Sequence, residues 1–169
     1  SCIRRTPFVK AFGEYMTLDT IDLGVEAVRG LLNRTELDPA ALDAVIWGGV
    51  LLPSLAPNVA REIVLDLSLP PSVEANTVTR ACASGLQAIT DAVAKIERGE
   101  ADVIIAGGSD STSNATVAMP AEFVRSVAPF AMGKQSGVGG FFGMLGGLFP
   151  PTRMLPKMPK VAERSTGEV

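Results

Sequence analysis

The 169-residue sequence contains no histidine, and this absence removes several kinds of active site from consideration. A serine or cysteine activated by a neighbouring histidine cannot form within these residues. Only two cysteines are present, Cys2 and Cys82, and they lie too far apart in the sequence to provide a zinc site by themselves. We therefore expect no bound metal ion.

The chain also lacks an excess of positive charge and a cysteine framework. Its formal net charge is −3, with 15 Lys and Arg residues against 18 Asp and Glu residues. A general nucleic-acid binder needs surplus basic residues, so we expect no nucleic-acid partner. Two cysteines do not make a disulfide framework, which favours a reducing compartment such as the cytoplasm. No apolar run reaches the roughly 20 residues that span a bilayer, and no signal peptide is visible at the start.

Aromatic residues are scarce at 5%, whereas apolar residues make up 47% of the chain, so a core would be built from Ala, Val, Leu and Ile. Short apolar runs alternate with segments of helical spacing. We predict the end of a first strand in residues 1–8, further strands over 44–49, 73–78 and 102–106, and helices that begin at Asp19 or Thr20, at Asn58 and at Cys82. This alternation predicts an α/β fold with a mostly parallel sheet covered by helices.

Two of these helices carry apolar residues at helical spacing. Each set is predicted to lie on one face of its helix. The first comprises Ile21, Val25, Val28 and Leu32, and the second comprises Leu86, Ile89, Val93 and Ile96. Gly99 follows the second set at the position where a glycine commonly ends a helix.

Cys82 stands between a predicted strand and a predicted helix, and it is the candidate nucleophile. In the first turn of a helix, unpaired backbone N–H groups and the helix dipole would favour the reactive thiolate. The backbone N–H of Cys82 is a candidate donor to an oxyanion during acyl transfer. Spacing alone leaves a second interpretation open, in which Cys82 is a buried and inert core residue.

Other motifs also allow two interpretations. The run 107–110, Gly-Gly-Ser-Asp, follows a predicted strand and is either a ligand loop or a tight turn; Gly48 and Gly49 have the same ambiguity. Asp102 and Asp110 are predicted to be solvated residues at strand ends. Cys2 has no chemically useful neighbours and is predicted to be passive. No phosphate-binding glycine motif follows a strand.

The composition changes after about residue 120. Residues 126–159 are rich in Gly, Pro, Met and Phe, and with Lys134, Arg153, Lys157 and Lys160 the segment is both basic and apolar. Its glycines oppose a stable helix, so we predict an excursion from the α/β domain with short helices around 141–149. The Met and Phe side chains serve either internal packing or binding to a surface.

The sequence around Cys82 resembles the thiolases. Residues 78–89 read VTRACASGLQAI, and residues 101–108 read ADVIIAGG. Residues 5–8, 42–48, 58–61 and 162–168 resemble other segments of that family, so the resemblance covers nearly the whole chain.

The resemblance implies a fold in which two similar α/β halves pack as αβαβα layers. Residues 1–119 match the first half and 120–169 match part of an inserted loop domain that binds coenzyme A, while the C-terminal half is absent. Cys82 matches the nucleophile that accepts the acyl group of a 3-ketoacyl-CoA. Coenzyme A would be a substrate, no cofactor is implied, and the residues that bind it are not identified. A homodimer or larger assembly, formed along the strand before Cys82, is implied as well.

The residue pair Val78-Thr79 is similar to the corresponding pair in one branch of the family, the β-subunits of the fatty-acid oxidation complex, which acts in β-oxidation. That branch implies an α-subunit partner and peripheral membrane contact through residues 129–155. We expect a cytoplasmic location, with the mitochondrial matrix or peroxisome as alternatives. The alternative functions are a biosynthetic acetoacetyl-CoA thiolase and a non-catalytic thiolase-like module.

The sequence also departs from the family pattern. The activating histidine, the second cysteine in a C-x-G setting and the oxyanion motif of the second half are not among these residues. Thr79 stands where many thiolases have asparagine. We therefore expect these 169 residues to be the N-terminal part of a longer or complemented chain and to be inactive alone.

Overall fold

A computed structural model describes residues 2–115, 119–134 and 137–147 of the chain, with only the backbone described at Met144. The described residues belong to two compact units, 1–116 and 117–169.

The first unit is built on a parallel sheet of three strands in its described part. The strands are β1 Ala44–Gly48, β2 Glu74–Val78 and β3 Ile104–Gly108. Their order is β2-β1-β3, and β1 pairs in parallel with both neighbours. The carboxyl ends of all three strands therefore lie at one edge, where Gly48 pairs with Val78 and with Gly108. The mostly parallel α/β fold expected from the sequence is confirmed.

Three helices connect and cover the strands: α1 Thr20–Thr35, α2 Val59–Asp66 and α3 Ser84–Glu97. Asp19 caps α1 by accepting the N–H groups of Ile21 and Asp22, as its position predicted. Asn58 caps α2 by accepting the N–H of Arg61. Short 3₁₀ turns form at Pro39–Ala41 and Thr112–Asn114.

The two faces of the sheet are packed differently. Val45 and Trp47 of β1 point toward α1 and α2, where they join a large core that includes Val28 and Ile63. Ile46 points to the opposite face and packs in a small cluster on α3. The alternation of side chains along β1 thus divides the unit into three layers, helices–sheet–helix.

Helix α3 places its small side chains on the sheet and its large apolar side chains outward. Ala88 and Ala92 are buried against the sheet. The apolar face predicted from spacing does form, but its four residues are between 46% and 67% exposed: Leu86, Ile89, Val93 and Ile96. Gly99 ends the helix as predicted, with a φ of +68° that suits glycine.

The strand predicted to end within residues 1–8 is not formed. Residues 2–10 adopt no regular secondary structure. The segment has two consecutive arginines, and Pro7 lacks the N–H that a sheet ladder needs. The sequence offers too few apolar residues there to favour a place in the sheet.

The second unit contains two helices in its described part, α4 Ala121–Ala131 and α5 Gly137–Gly147. Helix α4 was not predicted, and α5 forms although six of its residues are glycine. The helices support each other, because the rings of Phe130 and Phe141 lie 6.2 Å apart and Gly147 lies close against Ser126. Tertiary contact therefore outweighs weak helix propensity here. The predicted helical residues after 147 lie outside the described residues.

No helix in the described ranges is long and apolar enough to cross a membrane.

Asp43 anchors the amino-terminal edge of the sheet. Its Oδ2 accepts hydrogen bonds from the backbone N–H groups of Asp102 at 2.7 Å and Val103 at 2.8 Å. Its own backbone N–H donates to the Val103 carbonyl, and its carbonyl accepts from Glu74. Asp43 thus joins the starts of all three strands. The N–H groups of Val103 and Asp102 favour the charged carboxylate and hold the pKa of Asp43 below its ordinary value of 3.8.

Replacing Asp43 with asparagine should therefore remove a pH-dependent part of the stability. The contribution of Asp43 is fully present above the unfolded-state pKa near 3.8 and is lost as the pH falls through the lower folded-state pKa. The free energy of unfolding of wild type should exceed that of Asp43→Asn by more near neutral pH than at about pH 3. Urea titrations followed by Trp47 fluorescence at several pH values measure this difference.

Asp102→Asn is the matched control. It also removes one negative charge, close to Asp43, but the Asp102 side chain makes no hydrogen bond among the described residues. Its effect on stability should stay nearly constant over the same pH range. An Asp43→Asn effect that is equally constant would contradict the anchoring role.

Candidate functional site

Cys82 lies in the turn that connects the carboxyl end of β2 to the start of α3. The backbone N–H of Ala83 donates to the Arg80 carbonyl at 3.0 Å, and that of Ser84 donates to the Ala81 carbonyl at 3.1 Å. Two successive turns therefore wind around Cys82 before the helix begins.

Ala81 has a φ of +46°, in the left-handed region that L-residues with a side chain avoid. Turns with positive φ at their first central position usually have glycine there. The left-handed residue reverses the chain, so α3 begins at Ser84. The prediction that Cys82 occupies the first helical turn is wrong by two residues, because the helical hydrogen-bonding pattern starts only after this reversal.

The Cys82 side chain is free and exposed. The alternative that it is buried in the core is therefore wrong. Cys82 precedes the first residue of α3 by two positions, close to a helix end where unpaired N–H groups and a partial positive charge collect. Thiols in such surroundings are available to electrophiles.

Two glycines at the ends of neighbouring strands let the start of α3 lie close to the sheet. A Cβ on Gly48 would lie 2.5 Å from the carbonyl carbon and oxygen of Ser84 and 2.6 Å from the nitrogen of Gly85. A Cβ on Gly108 would lie 2.7 Å from the Gly48 carbonyl oxygen and 3.5 Å from the Cα of Gly85. A larger residue at Gly48 would therefore push the start of α3 away from the strand end, whereas a larger residue at Gly108 would displace the Gly48 backbone.

Gly85 itself is open. A Cβ there would meet no atom of the described residues within 4 Å. The space beside the Cys82 turn is thus free for a ligand or for protein that is not among the described residues.

A chain of polar side chains runs from the turn along the outside of α3. Arg80 Nη1 donates to Gln87 Oε1 at 2.6 Å, and Gln87 Nε2 donates to Asp91 Oδ1 at 2.7 Å. This chain fixes the guanidinium of Arg80, which is two residues from Cys82.

The run 107–110 is a structural turn. Trp47 Nε1 donates to Ser109 Oγ at 2.8 Å, and Ser109 Oγ donates to the Thr20 carbonyl at 2.7 Å. Asp110 Oδ1 accepts the N–H groups of Val50 at 2.8 Å and Leu51 at 2.7 Å. The polar side chains of this run therefore hold loops together, and Asp110 is bonded to backbone although the sequence suggested only a solvated carboxylate.

Sequence reasoning missed Ser84 as part of the site, and it left Gly48 and the run 107–110 as either ligand loops or turns without relating them to Cys82. The motif around Cys82 contains Ser84, and Gly48 and Gly108 end apolar strands, but only the register of the sheet places them together. Gln87 and Asp91 show the i, i+4 spacing that could have indicated a side-chain hydrogen bond on α3.

A cavity of about 540 Å³ lies between residues 2–11, α1 and β3, and Cys2 is among its lining residues. Cys82 does not line it. The exposed Cys82 thiol therefore lies outside this cavity. Among the described residues, no group of three or more His, Cys, Asp or Glu side chains is arranged to hold a metal ion.

These observations define an α/β protein that presents an exposed thiol at the carboxyl edge of a parallel sheet. The family described as "Thiolase, N-terminal domain" matches residues 3–141. The chain belongs to the thiolase family.

Curated relatives agree with this assignment. The chain is 36% identical over 163 residues to the 3-ketoacyl-CoA thiolase of Vibrio cholerae. The matched region covers 96% of this chain and 37% of the relative. It is 37% identical over 163 residues to the 3-ketoacyl-CoA thiolase of Aliivibrio fischeri, covering 96% of the chain and 36% of that protein. The chain thus spans little more than a third of the length of these relatives.

Solved structures share the fold. A thiolase from Ascaris suum in complex with coenzyme A superposes with a TM-score of 0.67 at 30% identity, over 70% of this chain and 31% of that one. The acetyl-CoA acetyltransferase of Bacillus anthracis superposes with a TM-score of 0.65 at 28% identity, over 69% and 30% of the two chains.

Gly48→Ala should destabilise the first unit and disturb the Cys82 turn, because the new methyl group would overlap the backbone at the start of α3. Overpacking of this kind costs about 1–3 kcal/mol or more. Urea denaturation followed by Trp47 fluorescence measures the loss of stability.

Gly85→Ala is the matched control, since it adds the same methyl group one residue into α3, where it meets nothing. It should leave the stability unchanged or raise it by up to about 1 kcal/mol. Equal effects of the two substitutions would show that the close packing at Gly48 is not a constraint.

Proposed function

We propose that this chain supplies the acyl-accepting cysteine of a degradative 3-ketoacyl-CoA thiolase that acts in fatty-acid β-oxidation. The observation that carries the proposal is the exposed thiol of Cys82, held in a defined turn at the carboxyl edge of the sheet. The names of the curated relatives support the choice of 3-ketoacyl-CoA as substrate.

In the proposed reaction the Cys82 thiolate attacks the 3-keto carbon of the substrate. The bond between C2 and C3 breaks, and its electron pair stays on the acetyl-CoA fragment, which takes up a proton and leaves. The shortened acyl group remains on Sγ as a thioester. The thiol of a second coenzyme A attacks that thioester, so a shorter acyl-CoA leaves and the Cys82 thiol is restored.

The backbone N–H of Cys82 is our candidate donor to the oxyanion that forms at the attacked carbonyl. The base that removes the thiol proton and the acid that protonates the leaving carbanion are proposed to lie outside these residues, since the sequence has no histidine. Coenzyme A is a substrate in this scheme, and no separate cofactor takes part.

The outward face of α3 supports the proposal that a second α/β half packs on the first. Leu86, Ile89, Val93 and Ile96 form an apolar stripe that the described residues leave exposed. A helix that is apolar on both sides is typical of the middle layer of a protein. In this arrangement the covering half would also bring its catalytic groups to the turn before α3.

The proposal is tested by joining residues 1–169 to the C-terminal remainder of the Vibrio cholerae relative and supplying a 3-ketoacyl-CoA. We expect an acyl adduct on Cys82 by peptide mass spectrometry. Cys82→Ala should remove the adduct and lower cleavage by at least about a thousandfold, as loss of a nucleophile does.

Cys2→Ala is the matched control, because Cys2 is the other exposed thiol and should be dispensable. A joined chain that cleaves substrate equally well without Cys82 would overturn the proposal. Faster turnover of acetoacetyl-CoA than of long 3-ketoacyl-CoA would favour the biosynthetic alternative, which the acetyltransferase neighbour from Bacillus anthracis also suggests.

We further propose that the protein works as a homodimer or larger assembly in the cytoplasm. Strand β2 lies at an edge of the described sheet, and its residues are exposed or only half-buried. An edge strand of this kind can pair with a second copy. Both cysteines are free, which fits a reducing compartment.

A second proposed function is peripheral contact with an anionic membrane through residues 129–155. Within residues 123–162 the sequence has five Lys and Arg residues and no Asp or Glu, although the whole chain carries a net charge of −3. Helix α5 has no charged residue, and Val138 and Phe142 are exposed on it. Basic charge beside exposed apolar residues is the combination that binds anionic lipid surfaces. The alternative occupant of the same surface is an α-subunit.

The membrane proposal predicts that the chain sediments with vesicles of anionic phosphatidylglycerol and much less with vesicles of neutral phosphatidylcholine. Phe142→Asp should weaken the binding by roughly tenfold or more, because the aromatic side chain that would enter the lipid is replaced by a negative charge. Leu55→Asp is the matched control, since Leu55 is a fully exposed apolar residue of the first unit. Equal losses for both variants, or equal binding to both vesicles, would contradict the proposal.

A further inference from the structure

The turn that carries Cys82 is held from behind by a buried hydroxyl. Ser84 is only 3% exposed. Its Oγ donates to the Ala81 carbonyl at 2.7 Å and accepts the backbone N–H of Arg80 at 2.8 Å. These two bonds reach back across Cys82, so one hydroxyl clasps the peptide groups that precede the thiol.

This role differs from ordinary helix capping. Ser84 is the first residue of α3, and the N-cap residue is Ala83, which makes no side-chain cap. A capping hydroxyl accepts from N–H groups further along the helix. The Ser84 hydroxyl instead points backward into the turn, and it both donates and accepts there.

The clasp stabilises a backbone conformation that Ala81 would otherwise avoid. Ala81 has a φ of +46°, which is sterically unfavourable for alanine. Such conformations persist when the surrounding structure determines them more than once. Here the Ala81 carbonyl accepts both from the Ser84 N–H and from the Ser84 hydroxyl, and the Ser84 backbone lies against Gly48.

We propose that Ser84 is a positioning residue for Cys82: its buried hydroxyl holds Ala81 in the left-handed conformation and thereby sets where the thiol stands at the start of α3. The proposal rests on the proposed function, in which Cys82 accepts the acyl group. Ser84 acts through the turn and does not touch the substrate.

The test compares the alkylation of the two exposed cysteines in one molecule. The 169-residue protein is treated with limiting iodoacetamide, and peptide mass spectrometry gives the ratio of the Cys82 rate to the Cys2 rate. Cys2 is outside the turn and serves as the internal reference. We expect Ser84→Ala to lower this ratio about fivefold or more, because without the two Ser84 hydrogen bonds the turn no longer holds the thiol in its exposed position before α3.

Rescue distinguishes positioning from a general loss of stability. Glycine adopts a positive φ without steric penalty, so Ala81→Gly added to Ser84→Ala should move the ratio back toward that of wild type. A purely structural role for Ser84 would lower the unfolding midpoint, leave the ratio unchanged and show no such rescue.

A second pair of variants covers the case in which Ser84→Ala fails to fold. Ala81→Val places a β-branched residue at the left-handed position, whereas Ala83→Val adds the same atoms on the other side of Cys82 at an ordinary φ of −96°. Both sites are exposed, so the core is untouched. We expect Ala81→Val to lower the ratio about fivefold and Ala83→Val to change it less than twofold.

The proposal is overturned if the ratio stays within about twofold of wild type in folded Ser84→Ala, or if Ala81→Val and Ala83→Val behave alike. Alkylation needs no coenzyme A and no second half of the protein. The outcome is therefore separate from that of the acyl-adduct experiment, which alone decides whether Cys82 takes the acyl group.

Discussion

The close approach between the start of α3 and the ends of β1 and β3 is the constraint on which the site depends. The approach is possible because Gly48 has no side chain where it meets the Ser84 backbone, and Gly108 leaves room for the Gly48 carbonyl on the neighbouring strand. The missing side chains bring the Ser84 backbone within contact distance of β1. The turn before Ser84 then has little freedom, and Cys82 is presented at the edge of the sheet instead of on a mobile loop.

Helix α3 also has a face that the described residues leave uncovered. Its sheet-facing side chains are small, which suits close packing, while its large apolar side chains lie on the other side. That division gives α3 two packing faces and only one partner among the described residues. The Cys82 thiol lies two residues before this helix, so whatever covers the exposed face of α3 will lie close to the thiol.

Local patterns in the sequence predicted the three strands of the described sheet and most helix ends, whereas the first strand predicted within residues 1–8 is not formed. Asp19, Asn58 and Gly99 follow capping rules that involve only neighbouring residues. Local patterns could not identify Ser84 as part of the site. Its role depends on the left-handed conformation of Ala81 and on the close contact with Gly48 of another strand, and both are visible only in the fold. Helix α5 shows the opposite case, in which local glycine content argued against a helix that contact with α4 supports.

Asp43 secures a strand pairing that closes a long loop of the chain. Its carboxylate joins backbone groups 59 and 60 residues away along the chain, at the edge of the sheet opposite the thiol. Closing so long a loop carries an entropic cost that local turns and helices do not have. Strand β3 pairs with β1 across this long loop, and the pairing places Gly108 beside Gly48. The edge that carries Cys82 thus includes a long-range strand pairing that Asp43 secures at the opposite end of the sheet.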